Sequence, residues 1–153
     1  MPTLDDVYRK FGQTAEAAQL LETQLGNDLF FESAVGEGLL ERQNPTRAQE
    51  LLDRVNSQTF GQLLTRLKAK GLTSDEVAEA LTEALNERNR LFHNFYRQHN
   101  FRRNSDAGRA LMMQDLDAMH EALIRAYKLL LLLSGVDIDA LPDGPYPDKH
   151  LPI

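Results

Sequence analysis

The sequence predicts an all-α protein, an antiparallel helical bundle of three long and two short helices. Three observations point there. Apolar residues recur at three- and four-residue steps through most of residues 4–134. No stretch alternates apolar and polar residues as a half-buried strand does. The glycines and prolines that punctuate the chain, among them Gly36, Gly38, Pro45, Gly71 and Gly135, fall between the periodic runs.

The elements follow in order. Leu4, Val7, Phe11, Ala18, Leu21, Leu25 and Leu29 predict one long helix over residues 4–33, with Gly12 and Gly26 as places for a bend. Residues 34–44 read as a loop ending at Asn44-Pro45, a cap followed by proline at the first helical position. A short helix is expected from Pro45 to about Val55, and a second from Phe60 to Lys70, closed by Gly71. Thr73 or Ser74 can cap the central long helix, and Asp75 and Glu76 suit the positive end of its dipole. Its period runs without proline or glycine until Arg102-Arg103-Asn104 breaks it. Ser105 caps the last long helix, which carries Met112, Leu116, Met119, Leu123, Ala126, Leu130 and Leu133 and ends at Gly135. The bundle therefore spans residues 1–135. Residues 136–153 hold four of the six prolines and read as an irregular tail.

The central helix holds the chemistry. Val77, Leu81, Ala84, Leu91 and Phe95 form its apolar stripe, and Arg88 fills the gap where an apolar residue is expected. A guanidinium aimed inward needs a carboxylate, a phosphate or a wet cleft. Glu22, Asp28 and Glu32 on the first helix are the carboxylates that could pair with it. His93 lies roughly 140° further round the helix at about 100° per residue. Asn89, His93, Tyr96 and Asn100 fall near one another on the edge between the apolar and solvent faces.

Charge adds a second signal. The chain carries −6 overall, yet residues 88–109 hold six arginines (88, 90, 97, 102, 103 and 109) and one acid, Asp106. A +5 window on an acidic body is an electrostatic footprint for a phosphate chain, or simply a basic helix end. There are no cysteines, so disulfides, thiolate metal sites and cysteine nucleophiles are excluded. No secretory signal is visible, and the longest apolar run, Leu129 to Leu133, is far short of a membrane span. A cytoplasmic protein is the expectation. Asp117, His120 and Glu121 share a helix face but lack the second copy of a di-iron bundle, so no metal and no cofactor is expected.

Residues 60–93 resemble the HEPN superfamily of helical domains. The likeness lies in Phe60-Gly61-Gln62-Leu63-Leu64 followed by a helix carrying Ala84-Leu85, Arg88-Asn89, Leu91 and His93. The hallmark of that superfamily is arginine, a polar residue, three more residues and histidine; here Arg88, Asn89 and His93 stand in those places. The resemblance implies a metal-independent endoribonuclease, toxin-like or defence-related, in which two domains pair so that both motifs line one cleft. By that likeness His93 would be the general acid/base, Arg88 would stabilise charge on the phosphate, and Asn89 would orient the site. The residue chemistry suits those roles, since histidine moves protons near neutral pH and guanidinium grips phosphate oxygens. Tyr96, Arg97, Arg102 and Arg103 would hold the RNA by stacking and by charge.

A second reading stands beside it, a non-catalytic helical interaction or regulatory module with a protein partner. It expects a carboxylate within salt-bridge distance of Arg88 and His93 free on the surface. The first reading expects both residues to line an open basic cleft between two copies.

Overall fold

The computed structural model describes residues 1–145, 147 and 148, and among them every regular element is helical. The expected three long and two short helices are present. They are α1 (Leu4–Gly36), α2 (Pro45–Asn56), α3 (Phe60–Ala69), α4 (Asp75–His93) and, after a five-residue α5 (Phe95–His99) and a 3-10 turn (Asn100–Asn104), α6 (Asp106–Leu133). No helix among the described residues is long and apolar enough to cross a membrane.

Local chemistry sets the boundaries. Thr3 and Asp6 form a reciprocal capping box at the start of α1, and Thr59 and Gln62 another at α3. The Asn44 side chain accepts from the Arg47 N–H with Pro45 at the first helical position. Ser74, not Thr73, caps α4, and Ser105 caps α6. Gly71 (φ +64°) and Gly135 (φ +79°) turn the chain after α3 and α6 in the left-handed region that other residues avoid.

α1 passes both of its interior glycines as one helix. Gly26 faces α2, with Val55 packed where a side chain would stand, so its smallness serves close approach of the two helices. Gly12 meets nothing within 4 Å of an added methyl group. Gly12→Ala is therefore expected to raise stability by about 0.5–1 kcal/mol, the intrinsic helix preference alone. Thermal melts would show it, and a loss would mean that α1 bends at that point.

The three long helices run up, down and up. Arg88 of α4 faces Glu22 of α1, and Phe95 beyond the end of α4 faces Phe11 near the start of α1, so these two helices are antiparallel. Arg90 near the end of α4 meets Asp115 near the start of α6, again antiparallel. α1 and α6 consequently lie side by side and parallel, with Pro2 beside Arg109, Lys10 beside Asp117 and Asp28 beside Ser134. The α2–α3 pair makes the return connection and packs on the second half of α1.

Two apolar clusters result. The larger joins Leu21, Leu25, Leu29, Phe60, Leu64, Leu81, Leu123 and Leu130 with their neighbours. The smaller, at the other end, joins Val7, Leu91, Phe95, Met112, Leu116 and Met119. Met112 and Met119 are core filling as expected, with no exposed surface. The apolar run that ends α6 is split: Leu130 and Leu131 are buried, while Leu132 and Leu133 stay about half exposed. After Gly135 the described residues hold a single 3-10 turn, Ile138–Ala140, tied to α6 by Lys128 and Asp139. The irregular tail expected over 136–153 falls partly, at 146 and 149–153, outside the described residues.

Candidate functional site

The central helix is shorter than its period suggests. It ends at His93, and Asn94 (φ −128°, ψ −15°) separates it from α5. No proline or glycine marks this break; asparagine does so more quietly, through its preference for leaving helical geometry. Leu91 and Phe95 bury on either side of the break, so the core holds both ends. The continuous helical edge expected for Asn89, His93, Tyr96 and Asn100 is thus interrupted after His93. Asn100 begins the 3-10 turn in a left-handed conformation (φ +36°).

Arg88 is neither deeply buried nor free. Its side chain is 27% exposed, and its guanidinium lies 5.1 Å over the Phe92 ring. One terminal nitrogen donates to Asn89 Oδ1 at 3.2 Å, and the other lies 3.6 Å from Glu22 Oε2. Its Nε is buried and unbonded. Of the three acids that could have paired with Arg88, Asp28 binds Gln24 and Ser134, and Glu32 binds Lys70, which leaves Glu22. With both partners partly in water, such a pair contributes at most about 1 kcal/mol. His93, in the last turn of α4, is exposed and makes no hydrogen bond or ion pair among the described residues.

The densest polar arrangement lies one turn further on, at a place the motif does not include. His99 is 3% exposed, with Nε2 2.7 Å from Asp115 Oδ2 and its ring 4.5 Å from that of Phe95. Arg102 donates toward His99 Nδ1 at 3.2 Å, which leaves the ring proton on Nε2, donated to Asp115. Arg90 grips both oxygens of Asp115, at 2.7 and 2.8 Å, and also Glu87 at 2.6 Å. Burial alone would raise the Asp115 carboxyl, but the bonds from Arg90 and His99 outweigh it and hold it below the usual aspartate range. The hydrogen bond to Asp115 likewise makes Arg90 hold its proton more tightly than usual. The sequence did contain a signal for this network. His99 continues the four-residue step of Leu91 and Phe95, and Asp115 lies beside Met112 and Leu116, so each is a polar group at a buried register.

The network redistributes the basic window. Arg90 is neutralised by Asp115 and Glu87, and Arg109 is spent on Asp106, the Pro2 carbonyl and the Arg103 carbonyl. Of the residues expected to hold substrate, Arg103 bonds the Tyr8 hydroxyl at 2.8 Å, Arg102 bonds His99 Nδ1, and Arg97 has no partner among the described residues. Tyr96 is 40% exposed, with its ring packed against Phe11 and Phe95. Burial and the neighbouring Tyr8 push its hydroxyl above the ordinary tyrosine range.

A shallow cavity of about 560 Å³ is lined by Arg90, Gln98, His99, Arg102, Gln114 and Asp115. A groove of about 450 Å³ between α1 and α2 includes Glu22. Neither is lined by Arg88, Asn89 or His93. Among the described residues no three histidine or acidic side chains gather as metal ligands; Asp117 is engaged by Lys10 at 2.7 Å. In comparison with known proteins, the chain matches no family model, no curated protein and no solved structure.

Proposed function

We infer that the chain is a HEPN-like, metal-independent endoribonuclease that works as a homodimer. One observation carries this most: Arg88, partly in water and 3.6 Å from Glu22, keeps a charge that is only loosely matched, and five residues on His93 makes no competing bond among the described residues. A histidine with no structural task is available for proton transfer. Arg88, steadied on Phe92 and Asn89, could leave Glu22 for a phosphate oxygen at little cost, since the present contact is long and wet. Five residues of helix separate the two side chains by roughly 7.5 Å along the axis and 140° around it. Within one copy they diverge. In the proposed dimer, a two-fold axis would set His93 of one copy beside Arg88 of the other.

In this reading His93 takes the proton from a ribose 2′-hydroxyl or gives one to the leaving oxygen, and Arg88 faces the charge that builds on the phosphate. The test is RNA cleavage in EDTA by wild type, Arg88→Ala and His93→Ala, with circular dichroism on all three. Cleavage by wild type that falls about 10²- to 10⁴-fold in folded His93→Ala is the expected result. A wild type that cuts neither single-stranded nor transfer RNA sinks the proposal.

The interaction-module reading keeps one specific support, the Arg88–Glu22 contact at 3.6 Å with His93 on the surface. Under it, the exposed Phe92 and Tyr96 rings would meet a protein partner, and His93→Ala would change nothing in the cleavage assay.

A further inference from the structure

The 3-10 turn between α5 and α6 presents Phe101 at 77% exposure. A single exposed apolar side chain is ordinary by itself. What surrounds this one is not. The turn is fixed from several sides: Arg102 reaches His99, Arg103 reaches Tyr8, Arg109 donates to the Arg103 carbonyl, and the Arg102 backbone lies against Gly108. Asn100 is held at φ +36°, a conformation that costs energy and persists only where neighbours enforce it. None of these contacts buries the ring. The turn is held at several points and its aromatic tip is left in water.

Charge makes the second half of the argument. Arg97, Arg102 and Arg103 flank Phe101 in sequence, are exposed, and have no carboxylate partner among the described residues. The protein carries −6, so acids are plentiful, yet among the described residues these three guanidiniums face a hydroxyl, an imidazole nitrogen or solvent. A solvent-exposed aromatic ring, with unmatched positive charge next to it in sequence, suits a ligand that alternates flat rings with negative charges.

We propose that the Asn100–Asn104 turn is a platform for an unpaired nucleic-acid strand, with a base stacked on Phe101 and the flanking phosphates on Arg97, Arg102 and Arg103. It deepens the cleavage reading by naming an unpaired strand as the substrate class, and rests on that reading for the choice of RNA over DNA. A duplex is excluded as ligand because its bases are already stacked.

The chain has no tryptophan, so Phe101→Trp introduces a single one at the platform. The experiment titrates wild type, Phe101→Ala and Phe101→Trp with fluorescein-labelled U12 RNA, dT12 and a 12-base-pair RNA duplex. Anisotropy reads the labelled strands, and tryptophan emission reads Phe101→Trp with unlabelled ones. Wild type is expected to bind U12 more tightly than the duplex. Phe101→Ala should weaken U12 binding about 5- to 150-fold, the range for one lost stacked base, while Phe101→Trp keeps the affinity and is quenched as U12 saturates it. With three phosphates neutralised, the slope of log affinity against log salt is expected near −2, and Arg97→Gln or Arg103→Gln should each make it about 0.7 shallower.

Failure of wild type to prefer U12, wild-type affinity in Phe101→Ala, or unquenched Phe101→Trp at saturating U12 each overturns the platform. The last pattern is what a protein-binding aromatic would give. Equal affinity for dT12 keeps the platform and removes the assignment to RNA. Cleavage measured beside binding separates the two proposals. Binding through Phe101 without cleavage by wild type leaves the platform standing and the nuclease reading fallen. Cleavage with no effect of Phe101→Ala does the reverse.

Discussion

Replacing Asp115 by alanine is expected to cost about 2–4 kcal/mol of folding free energy. Asp115 accepts from Arg90 twice and from His99 once. His99 is 3% exposed, so its Nε2 would lose the one acceptor it has among the described residues, at about 1–3 kcal/mol. Arg90 is 27% exposed and keeps Glu87, so it can rehydrate, and its share is nearer 1 kcal/mol. In a chain of this size, about 2–4 kcal/mol corresponds to a fall in Tm of roughly 5–15 °C. Asp115→Asn retains an acceptor for one partner and should fall between wild type and alanine.

The pH dependence gives an independent check. The folded state holds the Asp115 carboxyl below its ordinary value of about 3.9. A depressed acid contributes stability that is fully present above the unfolded value and is lost as pH falls through the lower folded one. The gap between wild type and Asp115→Ala should therefore be constant from pH 7 to about 5 and narrow as pH drops below about 4. Urea melts at pH 7, 5 and 3 would measure it. A gap under 1 kcal/mol at pH 7, or one that widens in acid, would mean that Asp115 does not hold this end of the bundle.

The residues of this network also show what the sequence could and could not disclose. The helices were legible because each apolar stripe, such as Leu21, Leu25 and Leu29, repeats at a period that only burial in a bundle explains. The caps were legible because serine, threonine and asparagine stand immediately before those stripes. The break at Asn94 was not, since one asparagine inside a strong period carries too weak a preference to outweigh the flanking leucine and phenylalanine. For the site, local sequence placed Arg88, Asn89 and His93 on one helix and gave Glu22 as one of three partners for Arg88. It could not reveal that Asp115, twenty-five residues beyond Arg90, takes both Arg90 and His99, because that pairing exists only once α6 folds back along α4. The +5 window overstated the free charge for the same reason: which arginines are matched depends on tertiary partners.

The second large effect is expected at Gly108, where two physical rules give opposite signs. Gly108 lies in the first turn of α6, and its N–H caps onto Ser105 Oγ at 3.1 Å. By helix preference alone, Gly108→Ala should stabilise by up to about 1 kcal/mol. Its surroundings say otherwise. An added Cβ would stand 2.7 Å from the Arg102 carbonyl carbon and closer still to the oxygen, and these are backbone atoms that no rotamer change can move. Either α6 or the Asn100–Asn104 turn must shift, and overpacking of this kind costs about 1–3 kcal/mol after the helix gain is counted. Gly12→Ala supplies the matched control, since it carries the same preference with nothing nearby. Displacing the turn would also loosen the Arg102 contact to His99 and the carbonyl that Arg109 holds, so amides of residues 99–105 should exchange faster than those of α1 and α3. Under the platform proposal the same substitution weakens binding of unpaired RNA although it touches neither Phe101 nor an arginine side chain. Paired melts of Gly12→Ala and Gly108→Ala decide the point: shifts of opposite sign establish the backbone contact as the constraint on the turn, and two gains would mean that the turn yields freely.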